Sequence, residues 1–253
     1  MILEQELVPY KTSDLPPSPW LILSPHPDDE TIGMGGTICL GKKQDTIIWV
    51  VEVTDGGKGG DPNIRKQESK EAAKKLGIDK IIWWDLPDRN LIKFKSIFKK
   101  NFLQTIPKLK PKTIFLPSCF EFHPDHRATT HMALSSLKKS KIKLNVWLYE
   151  ISRQGEVNKL IDITDVIQDK IEAINCYKSQ IKQINYPELA ISLNKGRSYT
   201  LPEHVNFAEG FWELTSYNLY EIKSHCKKYL YFPKKQSKFF TLIKGIFFAK
   251  KSL

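Results

Sequence analysis

Two short segments combine imidazole and carboxylate side chains at spacings that could bind a metal ion. The first, SPHPDDETIGMGG, places His26, Asp28, Asp29 and Glu30 within five residues. Close carboxylates repel one another unless hydrogen bonds or a cation compensate, and a divalent metal is the simplest compensator. Zinc accepts histidine nitrogen and carboxylate oxygen, and catalytic zinc sites use three protein ligands. Aspartates also cap helices, but a cap needs one acid and no neighbouring histidine.

The second segment, EFHPDHRATTH, carries His123, Asp125 and His126. Two imidazoles and a carboxylate in one loop suit one metal ligand plus one group that supports the ligands or the transition state. An HxxH pair is a weak signal when it stands alone. Together with the first segment it becomes a strong one, because both segments directly follow a predicted strand. His131, further along, is interpreted as a residue on a helix face.

Apolar runs of strand length alternate with longer amphipathic stretches along the chain. This alternation predicts parallel βαβ units and an α/β fold, a Rossmann-like three-layer sandwich with a mostly parallel sheet. The predicted strands are Trp20–Leu23, Thr46–Val53, Ile81–Trp84, Thr113–Leu116 and Leu144–Tyr149. The predicted helices are Thr31–Lys42, Pro62–Leu76, Leu91–Thr105, His126–Lys139 and Val166–Ile184.

Ligands of such sheets bind at the carboxyl ends of the strands, where both metal-binding segments are predicted to lie. Gly35 and Gly36 are expected to let the following helix pack closely on the sheet. The stretch Asn185–Phe207 is predicted to be a long loop over the site or a bridge to the last elements. The glycine-rich stretch Thr54–Asp61 favours a flexible rim of the substrate cleft, with a phosphate-binding loop as the alternative.

Composition excludes several classes of protein. The N-terminus lacks the basic and apolar regions of a signal peptide, and no run of 18 apolar residues is present, so a cytoplasmic location is expected. Four dispersed cysteines without a CxxC pair fit neither a disulfide framework nor a thiolate zinc site. The net charge of +11 comes mostly from lysine, with only five arginines, so no specific nucleic-acid partner is expected.

The two segments resemble the zinc-dependent de-N-acetylases of the PIG-L and LmbE-like family, which act on GlcNAc-phosphatidylinositol and GlcNAc-inositol. That family is marked by an HPDDE loop and a later HPDH loop, which stand here at residues 26–30 and 123–126. The similarity extends over residues 18–215. It includes Arg65, Asp88 after the third strand, the segment Lys170–Gln180 and the segment Ala208–Phe211.

The resemblance implies a role for each matching residue. His26, Asp29 and His126 would bind zinc, although two histidines and one aspartate also accept other divalent ions. Asp28 would be the general base, and His123, as imidazolium, would stabilise or protonate the tetrahedral intermediate. Arg65 and Asp88 would bind the substrate. Independently of the resemblance, Arg197 in the GRSY segment could reach an anionic substrate group or form a surface salt bridge. Glu121 stands where some members have a tyrosine.

These inferences predict three regions: an N-terminal arm over residues 1–17, a deacetylase catalytic domain over 18–221 and a basic, aromatic extension over 222–253. No acidic residue follows Glu221, whereas nine lysines do. The apolar face of Phe239–Phe248 could lie on an anionic membrane, which would place the protein at the inner membrane surface. It could equally pack on the domain or remain disordered. No oligomeric state is assigned.

The predicted activity is zinc-dependent hydrolysis of the N-acetyl amide of a GlcNAc-type glycoconjugate. A nucleotide- or lipid-linked sugar of cell-surface glycan synthesis is the favoured substrate. Two alternatives stay open: deacylation of a small thiol- or antibiotic-related glycoside, and non-catalytic binding of a glycan or nucleic acid. The intact set of three ligands and Asp28 favours catalysis, because a site that has lost its activity usually loses its base.

Overall fold

A computed structural model describes residues 8–140 and 142–215, which form a sheet between two layers of helices. The strands are β1 Trp20–Ser24, β2 Ile48–Thr54, β3 Lys80–Leu86, β4 Thr113–Pro117, β5 Asn145–Tyr149, β6 Lys159–Asp162 and β7 Ala208–Glu213. The α-helices are α1 Asp29–Lys43, α2 Pro62–Leu76, α3 Lys95–Leu109, α4 Pro124–Ser140, α5 Ile167–Ile174, α6 Lys178–Ile181 and α7 Tyr186–Arg197. Short 3₁₀ helices at Leu91–Phe94 and Thr164–Val166 precede α3 and α5.

The seven described strands form one sheet in the order β3-β2-β1-β4-β5-β7-β6. Strands β1 to β5 pair in parallel, and β7 pairs antiparallel with both β5 and β6. The order along the chain reverses between β1 and β4. A crevice opens at such a switch point at the carboxyl ends of the two strands, because their connections leave in opposite directions.

Side chains of each strand alternate between two apolar cores, one on each face of the sheet. In β1, Trp20 and Ile22 pack with residues of α1, α2, α5 and α7. Leu21 and Leu23 point to the opposite face and pack with α3 and α4. Period-two alternation with both faces apolar is typical of a parallel sheet covered by helices on both sides. The predicted three-layer α/β fold with a mostly parallel sheet is therefore confirmed.

Helix α1 begins at the site and is kinked at Met34, whose φ of −144° is not helical. The kink frees the backbone N–H groups of Gly36 and Thr37, and the carboxylate of Glu209 accepts hydrogen bonds from both at 2.9 and 2.7 Å. A carboxylate is stabilised at the amino end of a helical segment. Strand β7, which carries Glu209, is thereby tied to the helix that carries the site.

The close approach of α1 to the sheet occurs at Gly33, not at the predicted Gly35 and Gly36. A Cβ atom on Gly33 would lie 2.4 Å from the carbonyl oxygen of Glu150 and 2.6 Å from the Tyr149 ring at the end of β5. Gly35 and Gly36 instead face Lys170 and Ile163. Gly33 is therefore a position at which a side chain would push α1 off the sheet, as is Gly41, where a Cβ atom would lie 2.6 Å from the Trp20 ring of β1.

Lys170 is fully buried, and its Nζ contacts Glu209 Oε1 at 2.7 Å and Asn194 Oδ1 at 2.8 Å. Removing one partner of a buried ion pair leaves an uncompensated charge, so Lys170→Met should lower the free energy of unfolding by about 3–5 kcal/mol. Urea unfolding of the variant would measure this. The matched control is Lys75→Met, which removes an exposed pair with Glu172 and should have little effect. Equal, small losses in both variants would contradict a stabilising role for the buried pair.

Three features of the last third of the fold differ from the sequence predictions. The predicted loop Asn185–Phe207 contains helix α7, which Asn185 caps through a hydrogen bond from the Glu188 N–H. Strands β6 and β7 were not predicted, because β6 has only four residues and β7 carries Glu209 and Gly210 in its interior; both complete the sheet by antiparallel pairing. The predicted helix over Val166–Ile184 is divided into α5 and α6.

Residues 8–17 lie against the rest of the fold. The Ser13 N–H donates to the Leu160 carbonyl at 2.8 Å, and the Thr200 hydroxyl donates to the Pro9 carbonyl at 2.6 Å. The predicted arm is thus in contact with β6 and with the segment after α7. The extension over residues 222–253, with its predicted membrane-binding face, lies outside the described residues. Among the helices of the described chain, none is both long and apolar enough to cross a bilayer.

Candidate active site

The two predicted metal-binding segments lie side by side in the structure. His26 and Asp28 belong to the turn after β1, and Asp29 is the first residue of α1. His126 lies in the first turn of α4, which begins directly after the loop that follows β4. Because β1 and β4 are neighbours at the switch point, their loops face the same crevice.

The ligand atoms of the three predicted zinc ligands form a small triangle. His26 Nδ1 lies 3.0 Å from Asp29 Oδ2, His126 Nε2 lies 3.1 Å from the same oxygen, and the two nitrogens are 3.3 Å apart. All three side chains are buried. Tetrahedral zinc with bonds of 2.0–2.1 Å separates its ligand atoms by about 3.3 Å. The donor types and their spacing therefore fit a zinc ion with only small adjustments.

The electrostatics of the triangle also favour a bound cation. Burial opposes a charged His126, but the Asp29 carboxylate outweighs it and raises the pKa of His126 to about 9. Burial likewise opposes a charged His26, whose pKa is nonetheless raised by Asp125, Asp29 and Asp88. The two histidines in turn hold the pKa of Asp29 well below its ordinary value despite burial. The cluster therefore favours positive charge, which a bound cation would supply.

The second nitrogen of His26 faces two further carboxylates. His26 Nε2 lies 3.2 Å from Asp88 Oδ1 and 3.6 Å from Asp125 Oδ2. A histidine that binds metal through one ring nitrogen commonly donates the other N–H to a carboxylate, which fixes the ring. Asp88, for which the resemblance implies a sugar contact, thus also orients His26. The possible ligand atoms of His26, Asp88, His123 and Asp125 all lie within 4.8 Å of one another, as do those of His26, His123 and His126.

Asp28, the predicted base, lies next to the triangle in a strained backbone conformation. Its φ of 139° is unfavourable for a residue with a side chain. The guanidinium of Arg65 holds it there, because Nη2 donates to Asp28 Oδ2 at 2.8 Å and to the Pro27 carbonyl at 2.7 Å. Burial and the neighbouring Asp29 raise the pKa of Asp28 to about 7, although Arg65 lowers it. Such a pKa suits a base at neutral pH.

Arg65 is buried, and its guanidinium donates hydrogen bonds to neighbouring loops of the protein. Its Nη1 donates to the Gly56 carbonyl at 3.0 Å, and a Cβ atom on Gly56 would lie 2.4 Å from the same nitrogen. Gly56 also has a φ of 62°, which favours glycine. The glycine-rich stretch thus encloses the guanidinium that positions Asp28. The substrate contact that the resemblance implies for Arg65 stays a prediction.

His123 lies beside the triangle, with its ring centroid 4.5 Å from that of His26. Burial and the charges of His26 and His126 lower the pKa of His123 to about 4, which favours the neutral imidazole over the predicted imidazolium. Its Nδ1 accepts the Asp125 N–H at 3.2 Å, which leaves the proton on Nε2. Neutral His123 can therefore still donate a hydrogen bond from Nε2.

Glu121 does not take the place of the tyrosine found in some family members. Its buried carboxylate accepts hydrogen bonds from the Ile151 N–H at 2.8 Å and the Ser152 hydroxyl at 2.6 Å. Its Oε2 also faces His126 Nδ1 at 3.7 Å. Glu121 therefore lies behind a predicted zinc ligand. No sequence pattern indicated this contact, because it depends on how the loops after β4 and β5 meet.

The guanidinium of Arg197 forms an ion pair with the carboxylate of Glu150. Its Nε and Nη2 contact the two carboxylate oxygens of Glu150 at 2.8 and 2.5 Å, and Nη2 also donates to the Gly155 carbonyl. A bidentate pair of this kind occupies the guanidinium. Of the two predicted roles, the structure favours the salt bridge, which is buried and not at the surface.

Two buried carboxylates lie behind the site. Glu30 accepts hydrogen bonds from the hydroxyls of Ser24 and Tyr177, at 2.7 and 3.1 Å. Glu52, in the middle of β2, accepts one from Ser69 at 3.1 Å, and its other oxygen has no hydrogen-bond partner. Burial raises the pKa of Glu52 well above its ordinary value, and Glu30 adds to the effect. An acid inside an apolar strand was the sequence signal for this residue, and the sequence analysis missed it.

Glu52 gives a pH-dependent prediction for the metal-free protein. Above the pKa of the unfolded chain, about 4.3, the unfolded state releases this proton while the folded state keeps it, so stability falls as pH rises. One such proton contributes a slope of up to about 1.36 kcal/mol per pH unit. Glu52→Gln should remove that slope between pH 5 and 7.5 in urea unfolding. Exposed Glu71→Gln is the control. Parallel profiles for wild type and Glu52→Gln would show that Glu52 ionises freely.

Comparison with known proteins agrees with the predicted fold and family. Residues 21–137 match the PIG-L family, described as GlcNAc-PI de-N-acetylase. A diacetylchitobiose deacetylase of Thermococcus kodakarensis is 30% identical over 190 residues, which cover 64% of this chain and 70% of that protein. A probable N-acetyl-alpha-D-glucosaminyl L-malate deacetylase 2 of Bacillus subtilis is 29% identical over 182 residues, 63% of this chain and 82% of that protein.

A solved structure extends the similarity to three dimensions. The N,N'-diacetylchitobiose deacetylase of Pyrococcus horikoshii superposes with a TM-score of 0.68 at 27% identity, covering 79% of this chain and 84% of that one. The Rossmann-like fold shared with that structure, together with the deacetylases among the similar proteins, defines an enzyme of the de-N-acetylase class. Within that class, the chain belongs to the PIG-L family.

Proposed function

We propose that this enzyme hydrolyses the N-acetyl amide of a GlcNAc-type glycoconjugate with the help of zinc, and that the sugar is nucleotide- or lipid-linked. The observation that carries the proposal is the buried triangle of His26, Asp29 and His126 with the Asp28 carboxylate beside it. The named deacetylases among its relatives support a GlcNAc-type substrate.

Amide hydrolysis is slow because an amide is a poor electrophile and water is a poor nucleophile at neutral pH. Zinc, when held by these three ligands, would supply Lewis acidity, lowering the pKa of water to about 7 and polarising a carbonyl group. Asp28 would take a proton from the attacking water molecule. The same carboxyl group would then give that proton to the leaving amine, so that the sugar departs as a free amine and acetate is the other product.

His123 would assist on the other side of the reacting carbonyl. As the amide carbon becomes tetrahedral, negative charge develops on its oxygen, and the Nε2–H of neutral His123 can donate to it. A single donor placed for this purpose contributes about 3 kcal/mol to the stability of a transition state. Arg65 would act by keeping Asp28 in its strained conformation, with the carboxylate directed at the site.

The proposal is tested by measuring acetate and free-amine release from a panel of N-acetylglucosamine conjugates. The panel contains the free sugar and nucleotide-, inositol- and lipid-linked forms, each incubated with zinc-loaded protein. Release that requires both zinc and Asp28 would support the proposal and identify the substrate class. Absence of release from every member by protein that contains one zinc per chain would contradict it. Antibiotic- and thiol-related glycosides are the next panel in that case.

A further inference from the structure

Three cationic residues, Lys58, Arg89 and Arg153, lie at the edge of the site. Lys58 and Arg89 are exposed, and their backbone N–H groups donate to the site carboxylates Asp88 and Asp125 at 3.0 and 2.5 Å. Both residues therefore lie at the edge of the crevice. Within residues 8–140 and 142–215, neither side chain forms an ion pair. Their charges are available to a ligand.

The third cation, Arg153, lies against an exposed aromatic ring. Phe122 directly precedes His123 and is 63% exposed. The Phe122 carbonyl accepts a hydrogen bond from buried Arg127 at 2.6 Å, which fixes the backbone under the ring. The guanidinium carbon of Arg153 lies 5.2 Å from the centroid of the Phe122 ring. A fixed aromatic ring beside a cation can stack on a planar or pyranose ring while the cation binds an anion.

Lys58, Arg89 and Arg153, here called the basic rim, are positively charged, whereas the buried interior of the site is rich in carboxylates. The carboxylates of Asp28, Asp29 and Asp125 are already matched by Arg65, by the histidines and by backbone N–H groups. The rim cations are therefore not required to balance them. Exposed, unpaired cations at the mouth of a crevice attract a ligand of opposite charge. Arginine in particular presents a planar fork of donors that matches phosphate oxygens.

We propose that Lys58, Arg89, Arg153 and Phe122 bind the part of the substrate beyond the N-acetylated sugar, and that this part carries a phosphate group. This inference rests on the proposed function and makes it more specific. The cations would hold the phosphate, and Phe122 would stack on the ring or chain that follows it. A nucleoside diphosphate and a lipid phosphate share this chemistry.

The test compares binding of two ligands that differ only in the anion. N-Acetylglucosamine 1-phosphate and methyl N-acetylglucosaminide are titrated calorimetrically into zinc-loaded protein carrying Asp28→Asn, so that neither is consumed. We expect the phosphate to bind about tenfold or more tightly, as a charge-assisted contact allows. Added salt should reduce the preference. In the triple variant Lys58→Gln/Arg89→Gln/Arg153→Gln the preference should disappear while affinity for the methyl glycoside is unchanged.

A matched control separates a local effect from one of net charge. Lys138→Gln/Lys139→Gln/Lys143→Gln removes the same charge from exposed positions at the opposite ends of the strands and should keep the preference. Equal affinity of the two ligands, or a preference that survives in the rim variant, would overturn the inference. A uridine diphosphate sugar and a short-chain prenyl diphosphate sugar then distinguish the two sources of phosphate.

Binding and turnover separate this inference from the proposed function. Acetate release by unmodified protein, with no preference for the phosphate, would leave the proposed function and reject the basic rim. A phosphate preference that depends on the basic rim, without acetate release from any ligand, would support the basic rim and reject the proposed function. Phe122→Ala should weaken the diphosphate sugars more than the simple phosphate, since only they extend to a second ring or chain.

Discussion

Asp29→Ala should give a folded protein that neither retains zinc nor releases acetate. Asp29 Oδ2 contacts both predicted histidine ligands and also accepts the His26 backbone N–H at 2.9 Å. Its loss removes one ligand and the charge that attracts the metal. Since a catalytic metal contributes several kcal/mol and each 1.36 kcal/mol is a factor of ten, acetate release should fall at least about 10³-fold.

Zinc content by elemental mass spectrometry and acetate release are measured on the same preparation. Asp169→Ala, an exposed aspartate on α5, is the control and should keep both zinc and activity. If Asp29→Ala still bound one zinc per chain with unchanged affinity, the metal would have to lie elsewhere. The group formed by His26, Asp88, His123 and Asp125 would then be the next site to test.

Asp28→Asn should separate metal binding from catalysis. Asparagine keeps the shape of the side chain and tolerates positive φ, but it cannot take up a proton. Zinc content should stay at one per chain while acetate release falls by about 10²–10⁴-fold, the usual contribution of a general base. Because Arg65 loses its charged partner, circular dichroism must show that the variant is folded.

The pH dependence of the wild type follows from the same carboxyl group. Only ionised Asp28 can accept a proton, so kcat/KM should fall as pH drops through the pKa of Asp28, at about 7 without metal and lower once a cation favours the carboxylate. Glu30→Gln is the matched control for Asp28→Asn, because it alters a neighbouring buried acid that accepts hydrogen bonds from Ser24 and Tyr177. If Asp28→Asn and Glu30→Gln lost equal activity, Asp28 would act by supporting the fold and not as the base.

The zinc ligands and the base were predictable because two linear motifs carry them. Periodicity located β1 and β4, and the carboxyl-edge rule brought the two loops together although they are separated by about a hundred residues. Helix α2 was predicted with its observed bounds, since Asp61 caps it, a proline follows at the first helical position and Gly77 ends it. Strong local signals and a topological rule were sufficient for these features.

The contacts that support the motif residues could not be predicted in the same way. The contact of Glu121 with His126, the position of Glu52 behind the site and the identity of Glu150 as the partner of Arg197 all depend on tertiary packing between distant segments. The lowered pKa of His123 likewise depends on burial and on the charges around it. A motif indicates which residue type is needed, whereas its protonation state follows from neighbours that no local pattern reveals.

The two hydrogen bonds that Glu209 accepts at the kink of α1 have a consequence for folding during synthesis. Every residue proposed to act on the amide or hold the metal precedes residue 127, whereas the carboxylate that fixes α1 comes more than eighty residues later. A nascent chain released at residue 140 would therefore contain the whole chemistry without the strand that secures its first helix. Since domains fold as units during translation, activity should emerge only after β7 has left the ribosome.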